Sequence, residues 1–199
     1  MKHLTAILCL TLTLLLGSVG NSESADFQKG LTAYNSGDYA TALREWEPLA
    51  KQEYASAQYN LGQMYNQGTG VLQDYKTAVK WYRLAAEQGN ATAQHNLGFM
   101  YKNGQGVLRD YKTAVKWYKL SAKQGYADAQ YNLGVMYVLG QGVLKDYVYA
   151  HMWGNIASSN GNENGGKVRD IAVKNMTPAD ISTAQKLARE CIRKKYKGC

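Results

Sequence analysis

The sequence contains few of the residue types that build metal sites. Only three of its 199 residues are histidine and three are cysteine. Beyond the first 25 residues the histidines are His95 and His151, and neither has another histidine or a cysteine at ligand spacing. A structural zinc site needs four such ligands around one ion. We therefore predict that the protein holds no metal and no other cofactor.

Sequence motifs of catalysis and of nucleic-acid binding are also missing. There is no Gly-x-Ser-x-Gly and no Ser-x-x-Lys of a nucleophilic enzyme. The glycine turns, such as Gly68-Thr-Gly70, lack the further glycine or the Gly-Lys-Ser/Thr of a phosphate-binding loop. No nucleic-acid-binding motif accompanies the net charge of +8. We expect a protein that is not an enzyme and that does not bind nucleic acid.

A long apolar run occurs only at the N-terminus. Lys2 and His3 precede the apolar stretch Leu4 to Leu16, and small and polar residues follow it up to Ala25. These are the parts of a secretory signal peptide. The apolar stretch is shorter than the roughly 20 residues that a membrane-spanning helix needs. The sequence therefore predicts a signal peptide at residues 1–24, a periplasmic or secreted protein, and no membrane span.

Removal of this leader, which contains Cys9, would leave two cysteines, Cys191 and Cys199. An even number of cysteines in an exported protein favours a disulfide bond. The alternative is two free thiols. A disulfide closing so short a loop would stabilise the fold by roughly 2.5 kcal/mol. We predict that it fastens the C-terminal tail.

An internal repeat with a period of 36 residues dominates the remaining chain. The segment Ala-x-Ala-Gln-x-Asn-Leu-Gly begins at Ala55, Ala91 and Ala127, and residues 55–90 match residues 91–126 at 25 of 36 positions without insertion or deletion. A fixed period of this length is typical of helical solenoids, in which each unit buries its apolar face against its neighbours. We define three units, 55–90, 91–126 and 127–162.

Each unit divides into two predicted helices at a Gly-x-Gly-Val turn. In the first unit this turn starts at Gly68, and the second helix should begin after Asp74, whose carboxylate can accept hydrogen bonds from free backbone amides. The second helix carries apolar residues at helical spacing and should stop at Gly89. The same pattern recurs in the other two units.

These motifs, A-x-A-Q-x-N-L-G-x-M-Y-x-x-G-x-G-V and D-Y-x-x-A-x-x-W, resemble the Sel-one-like repeat (SLR) family of tetratricopeptide-type proteins. The resemblance covers residues 55–157 closely. It implies an all-α fold, a right-handed α-solenoid of antiparallel helix pairs with capping helices at both ends. It also implies a scaffold that binds proteins.

Two flanking segments are predicted to cap the solenoid. Residues 25–54 look like a degenerate helix pair, in which Pro48 should kink or end the second helix. Residues 163–199 contain a short amphipathic segment from Val168 to Met176. A second helix should then start at Thr177-Pro178 and reach about Lys195.

The first helices of the units present two faces. Residues that the units share lie on one side, and residues that differ lie on the other at spacings of four, seven and eight. In tetratricopeptide-type solenoids the first helices line the concave surface, so we predict a partner-binding groove there. The predicted groove residues are Tyr59, Gln63, His95, Phe99, Lys102, Tyr131, Val135, Val138 and Leu139.

The groove becomes apolar in the third unit, where it could be a contact surface or could be covered by the C-terminal helices. The residues that differ in the second helix of that unit, among them His151 and Gly154, are expected to face the cap. The leading hypothesis is a monomeric, non-catalytic adaptor that holds a protein or peptide of the bacterial cell envelope. The alternatives are a protein that binds envelope glycans such as peptidoglycan and one that hydrolyses β-lactams.

Overall fold

The computed structural model describes residues 19–199, with side chains from Phe27 onward, and consists there of helices without strands. The predicted signal peptide lies largely outside the described residues. The ten helices are α1 (Val19–Ser36), α2 (Tyr39–Lys51), α3 (Ala55–Gln67), α4 (Tyr75–Glu87), α5 (Ala91–Asn103), α6 (Tyr111–Ala122), α7 (Ala127–Leu139), α8 (Tyr147–Ser159), α9 (Gly165–Val173) and α10 (Pro178–Arg193). From α1 to α9 each helix packs on its neighbours in the chain, as in a solenoid, and α10 packs on α8. The predicted fold class is confirmed.

The first helix of each unit ends at a glycine in the left-handed conformation. The residues after α3, α5 and α7 are Gly68, Gly104 and Gly140, with φ of 70°, 72° and 68°. Each donates its backbone N–H to a carbonyl of the last helical turn. Glycine adopts this conformation without the steric cost of a Cβ, so the turn starts at the same place in every unit.

The second helices begin at the aspartates that the sequence indicates. Asp74 accepts hydrogen bonds from the backbone N–H groups of Lys76 and Thr77, and Asp110 does the same one unit later. Asp146 accepts from Tyr149. These bonds satisfy amides that the helix itself leaves free.

Glutamine side chains join consecutive units. Gln58 is buried and donates to the Ala50 carbonyl at 3.0 Å, while it accepts from Gln88 at 2.8 Å. Gln94 makes the equivalent bonds in the second unit. A buried amide must find partners for both its donor and its acceptor, so these side chains fix how one helix pair sits on the next.

In the first three helix pairs, one large aromatic ring lies over a glycine. Trp46 lies over Gly30, and Tyr82 lies over Gly62 so closely that a Cβ on that glycine would be 2.6 Å from the ring. Tyr118 over Gly98 repeats the arrangement. The period continues to Gly154, where the third unit has no ring.

Helix α9 fills that place in the third unit. Val168 of α9 lies against Gly134, and a Cβ on Gly154 would be 2.8 Å from the Arg169 nitrogen. Three of the residues on α8 that were expected to face the cap are buried: His151, Met152 and Gly154. The absence of a ring at Gly154 thus lets the capping helix approach.

Two details complete the ends of the chain. Of the two predicted effects of Pro48, a kink or an end of the helix, the second does not occur at the proline itself, because α2 continues three residues further to Lys51. The proline lies in the last turn, where its missing N–H removes only one hydrogen bond. At the other end Thr177 and Asp180 form a capping box, and a disulfide links Cys191 to Cys199.

Candidate functional site

A groove of about 300 Å³ lies between the first helices of units one and two. Helices α3 and α5 form its walls, and the Tyr82 ring of α4 reaches it from behind. Its lining residues are Tyr59, Gln63, Asn66, Gln67, Tyr82, His95, Asn96, Phe99 and Met100. None of them is an acid, a lysine or an arginine. The lining thus offers aromatic rings and side-chain amides.

The Tyr59 and Tyr82 rings form the inner end of this groove. Their centroids are 6.0 Å apart, at an interplanar angle of 36°. Burial raises the pKa of both phenols, and a hydrogen bond with Asn96 partly offsets the shift at Tyr82. Both hydroxyls therefore stay protonated and can donate or accept hydrogen bonds at neutral pH.

His95 is fixed in its position by hydrogen bonds on both ring nitrogens. Asn132 donates to Nε2 at 3.1 Å, and Nδ1 lies 3.1 Å from the Asn96 Oδ1. This pattern places the single proton of a neutral ring on Nδ1. Burial lowers the pKa of the imidazole, which keeps it neutral. The ring also packs between Tyr118 and Tyr126, at centroid distances of 5.7 and 5.2 Å.

Phe99 is the most open apolar group in the groove. Its side chain is 43% exposed, whereas the neighbouring Leu97 and Met100 are buried in the core. Gln67 is also exposed, and Gln63 and Asn66 are half-buried. A partner entering the groove would therefore meet one apolar ring with three amides beside it.

The structure brings four of the predicted groove residues together: Tyr59, Gln63, His95 and Phe99. The other five do not line this groove. Lys102, Tyr131, Val135 and Val138 are half-buried, and Leu139 is 53% exposed. The lining of the candidate site comes entirely from the first two units, and in the third unit α9 packs on α7.

Five lining residues are absent from the predicted list: Asn66 and Gln67, which lie at differing positions of α3, and Tyr82, Asn96 and Met100. Asn96 and Met100 recur in all three units and Tyr82 recurs as Tyr118 in the second, so the sequence argument assigned these three to packing. Tyr82 and Met100 are buried beneath the groove, and Asn96 is half-buried. A signal was available for Tyr82, because a tyrosine in a helical apolar stripe brings a hydroxyl that needs a polar neighbour.

Among the described side chains, no group of three or more His, Cys, Asp or Glu residues is close enough together to hold a metal ion. None of the described helices is both long and apolar enough to cross a membrane.

Comparison with known proteins gives a consistent result. The family model described as Sel1 repeat matches residues 55–90, 91–126 and 127–162. A search of curated proteins gave no match. A solved structure with an SLR fold, a protective antigen present in uropathogenic Escherichia coli strains, is similar at 27% identity and a TM-score of 0.61. That alignment covers 87% of this chain and 47% of the antigen, so this chain spans about half of the antigen's length.

Two further solved structures are similar. A Sel1 repeat protein from Oxalobacter formigenes has 27% identity and a TM-score of 0.65, with 85% of this chain and 77% of that chain covered. Cysteine-rich protein B from Helicobacter pylori has 18% identity and a TM-score of 0.49, with 76% and 98% covered.

Proposed function

Because the chain belongs to the Sel1 repeat family, whose members are generally non-catalytic protein-interaction scaffolds, we propose that it holds an extended peptide segment of a cell-envelope protein in the α3–α5 groove. The observation that carries this proposal is the composition of the groove. An extended peptide exposes backbone N–H and C=O groups in alternation. Side-chain amides can pair with both kinds of group, since each has a donor and an acceptor.

The aromatic residues of the groove complement these amides. Phe99 can cover one apolar side chain of the peptide, and the half-buried Tyr59 adds a rigid ring with a hydroxyl group. Aromatic residues of this kind dominate many protein interfaces, because they bury a large area at a small cost in side-chain entropy. The lack of charged residues in the lining favours a peptide segment without net charge.

The envelope location is supported by the Cys191–Cys199 disulfide and by the apolar N-terminal stretch Leu4 to Leu16. Disulfides persist in oxidising compartments. The similarity to a protective antigen of Escherichia coli is in keeping with this location. We place the protein in the periplasm or outside the cell.

Site-specific photocrosslinking in living cells tests the groove. A photoreactive phenylalanine analogue at Phe99 should give one adduct of discrete mass with a protein partner. The same analogue at Tyr149, which is 38% exposed on α8 and does not line the groove, is the control. The double variant Gln63→Ala/Gln67→Ala should reduce the adduct at position 99 by about thirtyfold, since each of the two amides lost costs on the order of 1 kcal/mol.

The same adduct at positions 99 and 149, or none at either, would contradict the groove. Sedimentation with purified peptidoglycan distinguishes the glycan alternative. If the protein and its Phe99→Ala variant both sediment with peptidoglycan and no protein adduct forms, the protein binds glycan, and it does so outside the groove.

A further inference from the structure

Three leucines at one edge of the solenoid are almost fully exposed. Leu72 is 92% exposed, Leu108 is 91% and Leu144 is 90%, and each follows the Gly-x-Gly-Val turn of its unit. The next most exposed large apolar residue among the described residues is Leu139, at 53%. A leucine side chain that is about nine-tenths exposed contributes nothing to the core, yet all three units have an exposed leucine at this position. We refer to Leu72, Leu108 and Leu144 as the leucine edge.

The leucine edge rests on a rigid support. The second glycine of each turn lies directly on the preceding helix pair: a Cβ on Gly106 would collide with the Tyr75 carbonyl, and a Cβ on Gly142 with the Tyr111 carbonyl. These glycines have φ of 70° and 72°. Because each loop is packed on the backbone of the unit before it, the leucines are held in a row.

Basic residues accompany this row. Arg109 and Lys145 directly follow two of the leucines, and the first two turns of α4 and α6 add four exposed lysines, Lys76, Lys80, Lys112 and Lys116. None of these six cations takes part in an ion pair among the described residues. The acids of the same edge are the three capping residues Asp74, Asp110 and Asp146. Cations therefore outnumber acids at this edge by six to three.

We propose that the leucine edge docks on the surface of an anionic lipid bilayer. The three leucines would enter the headgroup region, and the six cations would lie beside lipid phosphates. Peripheral binding of this kind depends on buried apolar area together with attraction to anionic lipids. A protein partner fits less well, because the leucines are separated by polar loop residues and form no contiguous apolar core of the kind found in protein interfaces.

This docking surface is separate from the groove. No residue of the leucine edge lines the α3–α5 groove, and the groove residues lie on the first helices and not on the loops. The protein could thus bind a bilayer and a peptide at the same time. The proposal stands independently of the peptide-binding proposal.

Vesicle flotation tests the docking surface. The protein is purified from the cells that produce it, in the form in which they process it. It is mixed with vesicles of phosphatidylethanolamine and phosphatidylglycerol, or with vesicles of phosphatidylcholine alone. The test variant is Leu72→Ser/Leu108→Ser/Leu144→Ser. The matched control is Ile171→Ser/Val173→Ser/Ile192→Ser, which removes three apolar side chains that are 36–47% exposed on the C-terminal helices α9 and α10. All variants carry the same N-terminus, so any contribution of the apolar stretch at residues 4–16 cancels between them.

We expect the wild type and the control variant to float with the anionic vesicles, and the test variant to lose at least about tenfold in the bound fraction. The wild type should float more with anionic than with phosphatidylcholine vesicles, and a second variant, Arg109→Glu/Lys145→Glu, should lose this preference. Circular dichroism verifies that all variants are folded. Equal flotation of the test and control variants would overturn the proposal, and so would equal flotation of the wild type with both kinds of vesicle.

Discussion

Single residues that depart from the repeat explain much of the local chemistry. His151 occupies the place of Val79 and Val115, and it is buried without a hydrogen-bond partner for Nδ1 among the described residues. Burial lowers the pKa of its imidazole, nearby Arg169 lowers it further, and Asp170 opposes the shift. The ring is therefore neutral at pH 7, and its protonation must oppose folding.

This gives a prediction about pH. Since the pKa of His151 is lower in the folded protein than its usual 6.5, the unfolded chain binds more protons as the pH falls. The free energy of unfolding should therefore decline as the pH falls through 6.5 toward the folded pKa. The variant His151→Val, with the valine of the other units, should decline less. Urea titrations at several pH values measure both slopes.

His95 provides the comparison for that experiment. Burial lowers its pKa too, so it contributes to the same decline, and His95→Tyr introduces the residue of the other two units. The double variant should show the smallest slope between neutral and mildly acidic pH. An unchanged slope in His151→Val would show that this imidazole does not titrate against folding.

The sequence predicted the groove residues only in part. The alternation of shared and differing positions correctly indicated which side of the first helices is packed, because helical periodicity alone decides it. It could not indicate that Tyr82 reaches the groove from the second helix, since the direction of one ring depends on tertiary packing. It also could not show that Tyr131 and Val135 lie outside the groove.

At the scale of the helices, α9 is the element that differs most from the repeat. The first and second helices of the units were predictable from their caps, since Asp74 and Gly68 carry local signals that do not depend on the rest of the fold. Helix α9 has only a short amphipathic pattern, from which its place in the fold could not be derived. Its position depends on the close crossing of Gly154 and Gly165.

Substitution of these glycines should test that crossing. In Gly154→Ala the new Cβ would lie 2.8 Å from both the Arg169 nitrogen and the Gly165 oxygen, which are backbone atoms that cannot move independently. We expect a loss of about 1 to 3 kcal/mol in the free energy of unfolding. Denaturant titration followed by circular dichroism gives the value.

The matched control lies on the same capping helix. In Gly166→Ala the nearest atom to the new Cβ is the end of the Arg169 side chain, 3.9 Å away. This change should stabilise the protein by about 0.5 to 1 kcal/mol, because alanine favours the helix over glycine. If both alanine variants had the same stability, the Gly154 crossing would not be a constraint on α9.

At the scale of the whole molecule, stability depends on contacts between neighbouring helix pairs. Leu97 in the middle unit is fully buried, and the three apolar clusters of the core follow one another along the solenoid. In a protein of this kind each unit is stabilised by the units beside it. A destabilising substitution in the middle unit should therefore reduce the stability of the units on both sides of it.

The variant Leu97→Ala should lower the free energy of unfolding by about 2 to 5 kcal/mol, through lost burial and a cavity. It should also broaden the transition, because the two ends become less strongly coupled. Lys116→Ala, an exposed residue of the same unit, should change the free energy by less than about 0.5 kcal/mol. Thermal and urea unfolding would measure both. A sharp transition in Leu97→Ala at the wild-type midpoint would contradict the coupling between units.

The loops of the leucine edge also constrain how such a gene can change in length. Because Gly106 and Gly142 each lie on the backbone of the preceding helix pair, one residue added to a turn would lift its loop from that support. Gain or loss of one unit of 36 residues keeps each turn in register with the helix pair before it, because Asp74 and Asp110 occupy equivalent positions in their units. A change in the number of whole units therefore keeps these supports, and we expect selection against small insertions at the turns. The array is built to vary in whole units and to resist variation within them.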